Sequence, residues 1–332
     1  MTHPIRVRKL LFHVLSISLA ALLIWLSLRG VNLTKFWDSL RSAHYEWILP
    51  VIGVTLMSHW IRAYRWHVLV TSISNNSNSR IPVSDLFSSV MIGNMVNYAL
   101  PRVGEVARCT YLSAKRKISF SALLGTVAVE RIADTLVLGL GLFTTLLLLH
   151  GRFQSLSEQL SLPELPWGWI GFGGLIIALT IYFGLRLKLA APLRMRLLSS
   201  VKLFSDGFRT IYRTPQCWRL IWTTVVMWLM YGLMAYIPLL IFDLQATVSL
   251  SYLDGLAIMF IGILGILVPT PGGVGSFHYI TILALTTIYG IDQPGAAAYA
   301  VFVHGAQLIL YLSVGALILL ISPATSRVKS ER

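Results

Sequence analysis

Residues 93–108 read GNMVNYALPRVGEVAR and give the clearest indication of how this chain folds. They interrupt an apolar region, Val83–Leu112, that is otherwise long enough to cross a bilayer. Pro101 removes a backbone donor and disfavours helix just before it, and Gly104 permits a tight turn. The stretch therefore predicts two half-helices that meet at a break. The charged residues that follow the break recur every third position: Arg102, Glu105 and Arg108.

A second broken region spans Leu253–Ile288 and contains VPTPGGVGSFH at residues 268–278. Two prolines end the entering half-helix, and three glycines, Gly272, Gly273 and Gly275, allow a close approach of backbones at the turn. The amides that begin the next helix favour an anion. The alternative for both regions is a packed kink with no binding role.

The composition places these breaks in a membrane. The chain has 332 residues, of which 56% are hydrophobic and 12% charged, whereas a soluble chain carries about 25% charged residues. A soluble enzyme is therefore excluded. The net charge of +14 is attributed to cytoplasmic loops, where basic residues gather, so no nucleic-acid partner is expected. Cys109 and Cys217 have no metal-site spacing, and neither metal nor cofactor is expected.

Six further stretches are long and apolar enough to span the bilayer. They are Leu10–Leu28, Trp47–Tyr64, Phe120–Leu149, Trp167–Leu185, Leu220–Phe242 and Ala296–Ile321. The first is expected to be a retained signal anchor, since no small-residue cleavage pattern follows it. The predicted fold class is an all-α polytopic membrane bundle of six full spans and two re-entrant, broken helical hairpins that form an inverted repeat. Residues 1–332 form one membrane domain.

The basic residues set the expected orientation. If regions 83–112 and 253–288 each return to the side from which they enter, 22 of the 27 Lys and Arg residues lie on one side, which the positive-inside rule assigns to the cytoplasm. That side holds the N-terminus at 1–9, a segment at 186–219 and the tail at 322–332. Segment 186–219 is a basic amphipathic helix by its spacing, expected on the membrane surface, with a partner-binding role left open.

Three ionisable residues lie about ten residues into the third full span: Glu130, Arg131 and Asp134. Glu130 and Asp134 share one helix face, and Arg131 reaches Asp134. Because charges at this depth are costly, they are expected to face a partner or a cavity. We expect Glu130 or Asp134 to pair with Arg102 or Arg108 and to shape a headgroup pocket. The alternative is a self-neutralising structural cluster near the interface.

Other polar residues have weaker signals. His278 follows the glycine turn and is a candidate to hydrogen-bond or protonate a phosphate, and His304 and Gln307 are candidates to face the same cavity. An ordinary interhelical hydrogen bond is the alternative for each. Arg62 and Arg65, which lie beside tryptophans, are interpreted as interfacial anchors.

Four motifs resemble the transmembrane region of lysylphosphatidylglycerol synthases and its stand-alone, flippase-like relatives. They are RAYRW at 62–66, residues 93–97 leading into LPRVGEVAR at 100–108, ERIAD at 130–134 and PGGVG at 271–275. The resemblance covers about residues 10–322 and implies re-entrant helices and the movement of lipids or polyprenyl-linked lipids between leaflets. In that family an acidic residue commonly follows the Pro-Gly-Gly turn, whereas His278 stands here. No segment resembles the aminoacyl-transferring domain, so lipid aminoacylation is not expected.

The expected function is flippase-like binding or translocation of an anionic phospholipid or polyprenyl-linked lipid. The expected location is a bacterial or archaeal inner membrane, and self-association is left open. The candidate headgroup residues are Arg102, Glu105, Arg108, Glu130, Arg131, Asp134, Gly272, Gly273, Gly275 and His278. Since no catalytic constellation is found, an enzyme is not expected. A membrane-embedded enzyme or accessory subunit of glycolipid or polyprenyl-phosphate metabolism is the alternative, and a scaffold is a third hypothesis.

Overall fold

The computed structural model describes residues 4–73, 81–99, 103–152 and 216–321. Within these ranges the regular structure is entirely helical, as the sequence predicts. The helices are α1 (Pro4–Leu28), α2 (Leu33–Arg41), α3 (Ile48–Ile73), α4 (Val83–Ala99), α5 (Gly104–Arg116), α6 (Phe120–Leu148), α7 (Cys217–Ile241), α8 (Leu244–Thr247), α9 (Tyr252–Leu267), α10 (Ser276–Thr287) and α11 (Gln293–Ile321).

The first broken region forms a helical hairpin in which α5 folds back along α4. Asp85, in the first turn of α4, pairs with Arg116 and, at 3.0 Å, with Lys115, both at the end of α5. Nearer the break, Gly104 lies so close to Gly93 that a Cβ atom on Gly104 would collide with the Gly93 carbonyl oxygen. The predicted break is therefore present, although residues 100–102, with Pro101 and Arg102, lie outside the described residues.

The second broken region forms a similar hairpin from α9 and α10. A Cβ atom on Gly265, near the end of α9, would lie 2.7 Å from the carbonyl oxygen of Ser276, the first residue of α10. The intervening turn contains three glycines with left-handed φ angles of +60°, +76° and +84°, at positions 272, 273 and 275. Residues with a side chain rarely adopt these angles, so the glycines are required for the chain to reverse here.

The tips of the two hairpins meet. A Cβ atom on Gly272 would lie 3.1 Å from Cδ1 of Tyr98, which is in the last turn of α4. Helix α1 contacts the second tip at another point, because the Ala20 carbonyl oxygen lies against Gly275. Helix α11 packs against both α4 and α10. The two interrupted helices are thus held together in the interior of the bundle.

An apolar core lies behind each hairpin. One joins α9, α10 and α11, and its buried members include Ala257, Ile258, Leu285, Ala297 and Tyr299. The other joins α3, α4, α5 and α6, and its buried members include Ala63, Trp66, Leu86, Leu112 and Leu123. Large apolar side chains also lie exposed on the outer faces of the helices, including Leu140, Trp218 and Leu320. Such outward apolar faces match a lipid environment better than water.

Three described helices are long and apolar enough to cross a bilayer: α6, α7 and α11. Helices α1 and α2 together add a fourth if the 87° bend between them lies within one span. Helix α3 has 26 residues but is more polar, because Ser58, His59, Arg62 and Arg65 occupy its middle. The predicted span Trp167–Leu185, the 186–215 part of the amphipathic segment and the tail 322–332 lie outside the described residues. The count of six spans remains a prediction.

Candidate functional site

A buried ion network joins α3, α5 and α6, and Glu130 of α6 is at its centre. The Glu130 carboxylate accepts from Arg108 of α5 at 2.6 Å and lies 3.4 Å from Arg65 of α3. All three side chains are at most 2% exposed. A charge removed from water is stable only when it is paired and hydrogen-bonded. One carboxylate therefore bridges two helices that are distant in sequence. Of the pairings that the sequence left open between Glu130 or Asp134 and Arg102 or Arg108, the pair of Glu130 with Arg108 is present.

Asp134, one helical turn after Glu130, extends the network. Its two carboxylate oxygens accept from Arg65 at 2.7 and 3.2 Å, a bidentate geometry that orients both groups. The same guanidinium donates to Thr224 of α7 at 3.2 Å. Asp134 also pairs with Arg131 at 3.0 Å, as the i, i+3 spacing predicts. The network thus connects α3, α5, α6 and α7.

The network becomes accessible at its Arg131 end. Arg131 lies 3.3 Å from Glu105 of α5, and these side chains are 41% and 34% exposed. Exposed pairs are weak because water screens them, so this end can exchange partners more readily than the sealed Arg65, Glu130 and Arg108. The exposure of the charged side chains therefore increases from Glu130 in the interior to Arg131 at the edge.

The structure corrects the interpretation of Arg65 as an anchor at the membrane interface. It is 2% exposed and has two carboxylate partners. Trp66, which suggested an aromatic belt, is fully buried and donates to Thr126 at 2.9 Å, and the Arg108 guanidinium stacks on its ring at 4.6 Å. Of the two tryptophans beside these arginines, Trp60 and Trp66, Trp60 is exposed. The rotation of α3 against α6 and α7 turns this face inward.

A signal for this inward face was present in the sequence. Polar residues recur at helical spacing through the otherwise apolar α3: Thr55, Ser58, His59, Arg62 and Arg65. Thr55, Ser58, His59 and Arg65 are all buried. A polar stripe of this kind on a membrane helix indicates a face that packs against protein or a polar cavity.

A cluster of histidine and tyrosine rings lies where the hairpin tips meet. His59 of α3 hydrogen-bonds to Tyr311 of α11 at 2.8 Å. The Tyr98 ring at the tip of α4 lies 5.7 Å from Tyr311 and 5.3 Å from His304. His304 in turn lies 4.9 Å from His278. These rings join the first hairpin, the second hairpin and α11.

His278 also has a local structural role. Its Nδ1 accepts from the Gly275 amide at 3.3 Å and so caps the start of α10. His304, a candidate to face the same cavity as His278, has a buried Nε2 without a hydrogen-bond partner in the described chain. Gln307, expected to face the same cavity as His304, instead lines a small, mainly apolar cavity with residues of α3 and α7.

The structure thus brings together five predicted site residues, Glu105, Arg108, Glu130, Arg131 and Asp134. Gly272, Gly273, Gly275 and His278 form a separate group at the second tip, and Arg102 is outside the described residues. In the part of the chain that the structure describes, no group of three or more His, Cys, Asp or Glu side chains is arranged to hold a metal ion.

The fold and this interior charge network define an all-helical membrane protein. Residues 13–315 match the family described as the lysylphosphatidylglycerol synthase TM region, and the chain belongs to this family. It is also similar to the UPF0104 membrane protein MJ1595 of Methanocaldococcus jannaschii, with 24% identity over 317 residues that cover 88% of this chain and 89% of that protein. No solved structure matches the chain.

Proposed function

We propose that this protein moves an anionic phospholipid or polyprenyl-linked lipid between the two leaflets and binds its headgroup through the charged network. One observation carries the proposal: two interrupted helices meet tip to tip, with Gly272 beside Tyr98, in a bundle that also holds buried ion pairs. Interrupted helices at membrane depth are tolerated where they line a protein cavity, and transporters use them to form central binding sites.

The proposed topology has both hairpins re-entrant from opposite sides of the membrane, as an inverted repeat, with both termini in the cytoplasm of a bacterial or archaeal cell. The charge distribution supports it, since 19 of the 27 basic residues then lie inside once Arg62, Arg65 and Arg108 are left out of the 22 counted on that side. The helix lengths also support it. With 17 and 16 residues, α4 and α9 reach about 25 Å at 1.5 Å per residue, less than the hydrocarbon thickness of about 30 Å.

In the proposed mechanism, the headgroup first meets the accessible edge of the network at Glu105 and Arg131. Its anionic group binds arginine in place of a carboxylate, while the acyl chains stay in the bilayer against the exposed apolar helix faces. Movement of one hairpin tip past the other then opens the site to the opposite leaflet. Interactions at the open edge exchange most easily, because both partners there are already partly hydrated.

Reconstitution into vesicles with fluorescent phosphatidylglycerol tests the proposal. We expect dithionite to reach inner-leaflet label faster in vesicles with protein than in protein-free vesicles. Arg131→Gln is expected to slow this by about tenfold, since it removes a charged hydrogen-bond donor. The matched control is Arg41→Gln, an exposed arginine at the end of α2, expected to behave as wild type. Rates equal to those of protein-free vesicles would overturn the proposal, and a modified lipid product would favour the membrane-embedded enzyme.

A further inference from the structure

The described residues in and beside the ion network include four arginines but three carboxylates. Three carboxylates, Glu105, Glu130 and Asp134, are all engaged with Arg65, Arg108 and Arg131. A fourth arginine, Arg62, lies in electrostatic range of Glu130 and Asp134 but forms no ion pair with a described carboxylate.

Arg62 lies between the two polar groups already described. It follows His59 and precedes Arg65 by three residues each on α3, so the three share one helix face. His59 belongs to the ring cluster at the hairpin tips, and Arg65 belongs to the ion network. A headgroup that moved between the hairpin tips and the ion network would therefore pass Arg62.

The donors around this position are incompletely satisfied. The Nε atom of Arg62 is buried and has no hydrogen-bond partner in the described chain, and the same is true of Nε and Nη1 of Arg108. A buried donor without an acceptor costs about 1–3 kcal/mol, and more when it is charged. A guanidinium group with a donor that lacks an acceptor matches a phosphate oxyanion.

No described helix beside α3 offers a further carboxylate for this role. Helices α7 and α11 contain no Asp or Glu at all, and the only acid of α4, Asp85, is engaged by Lys115 and Arg116. A bound anion would therefore supply a negative charge that these described helices do not. Arg62 is only half-buried, as are Asn94 and Tyr98 on the facing helix α4, so a ligand can reach it.

We infer that Arg62 binds one phosphate oxyanion with a single net negative charge. This inference rests on the proposed function and specifies its substrate class: a lipid whose headgroup is a monoanionic phosphate ester. A zwitterionic headgroup is disfavoured because it brings its own cation, and the three carboxylates that could accept that cation are already paired.

The test uses the full chain, purified in neutral detergent, and two independent readouts. Affinity is measured by titration with short-chain phosphatidylglycerol, short-chain phosphatidylethanolamine and inorganic phosphate, and the melting temperature is recorded with and without each. Wild type is expected to bind phosphatidylglycerol about tenfold more tightly than phosphatidylethanolamine and to melt higher in its presence. Binding of inorganic phosphate as tight as that of the lipid would identify a free oxyanion as the ligand, whereas tighter lipid binding would identify the headgroup.

Arg62→Gln is expected to lose about tenfold in phosphatidylglycerol affinity and to lose the lipid-induced rise in melting temperature. Without lipid it is expected to melt no lower than wild type, because Arg62 forms no ion pair with a described carboxylate. Arg62→Lys keeps the charge and is expected to retain most of the binding, so it reports on the site even if Arg62→Gln fails to fold. Arg41→Gln is the exposed control and is expected to match wild type.

Unchanged phosphatidylglycerol affinity in Arg62→Gln, or equal wild-type affinity for the zwitterionic lipid, would overturn the inference. Its failure is separable from failure of the proposed function. If wild type moves lipid and Arg62→Gln moves it equally well, the function stands and the Arg62 site falls. If Arg62→Gln loses binding while wild type moves no lipid, the site stands and translocation falls.

Discussion

At the scale of single residues, Glu130 is the side chain on which the ion network depends. Its two oxygens serve different helices, with Arg65 on one and Arg108 on the other, and no side-chain exposure remains. A buried pair adds little net stability compared with an apolar replacement, but removal of one partner leaves an uncompensated charge. The loss of Glu130 would leave Arg108 without a described carboxylate partner, whereas Arg65 keeps Asp134. Because Arg108 is buried, the effect is expected to exceed that of losing an exposed acid.

We therefore expect Glu130→Gln to lower the free energy of unfolding by about 3–5 kcal/mol. Chemical denaturation of the purified protein in detergent measures this change. The matched control is Glu46→Gln, whose side chain is 67% exposed and pairs with His44, and it is expected to unfold as wild type does. An unfolding midpoint for Glu130→Gln that coincides with the control would contradict a structural role for this carboxylate.

At the scale of helices, the two hairpins were predictable from the sequence and the rotation of α3 was not. Proline and glycine act locally, so VPTPGGVGSFH and the run ending at Arg108 carry their own evidence for a break. The environment of Arg65, by contrast, is set by Asp134, 69 residues away, and Thr224, 159 residues away. A neighbouring tryptophan suggests an interface equally well whether the side chain faces lipid or protein.

The α4 and α5 hairpin depends on close backbone contact at one glycine. A Cβ atom on Gly104 would collide with the Gly93 carbonyl oxygen and approach the Asn97 side chain at 2.5 Å. The Asn97 side chain also accepts from the Gly104 amide at 2.8 Å. Gly104→Ala must therefore move α5 away from α4 and disturb a contact that brings Arg108 to Glu130.

We expect Gly104→Ala to destabilise the protein by about 1–3 kcal/mol or more, the usual cost of overpacking, and to slow lipid translocation. Gly125→Ala is the matched control, because Gly125 lies within α6 and a Cβ atom there meets nothing within 4 Å. Alanine favours helix over glycine, so the control is expected to be neutral or slightly stabilising. Thermal unfolding of both variants, with translocation measured in parallel, decides the outcome. Equal melting temperatures would mean that the hairpin accommodates a methyl group without strain.

At the scale of the whole molecule, the two hairpins contact each other at their tips inside the helical bundle. How the bundle is oriented in the membrane is a separate question. The fold class and both helix breaks were predictable because hydropathy and helix-breaking residues are local properties of the sequence. The packing of Gly272 against Tyr98 joins positions 174 residues apart, and no local pattern specifies it. The side of the membrane on which each hairpin begins and ends is a prediction from the charge distribution alone.

Cysteine labelling in intact cells tests the orientation through pairs of exposed positions that flank each hairpin. In a background without Cys109 and Cys217, single cysteines at Ser84 and Lys117 bracket the first hairpin, and those at Ser249 and Asp292 bracket the second. A re-entrant hairpin returns to its starting side, so both members of a pair must share accessibility. We expect an impermeant maleimide to label the second pair and to reach the first only after permeabilisation. If the two members of either pair label from opposite sides, that hairpin crosses the membrane, the inverted repeat is lost, and later basic loops change side against the positive-inside rule.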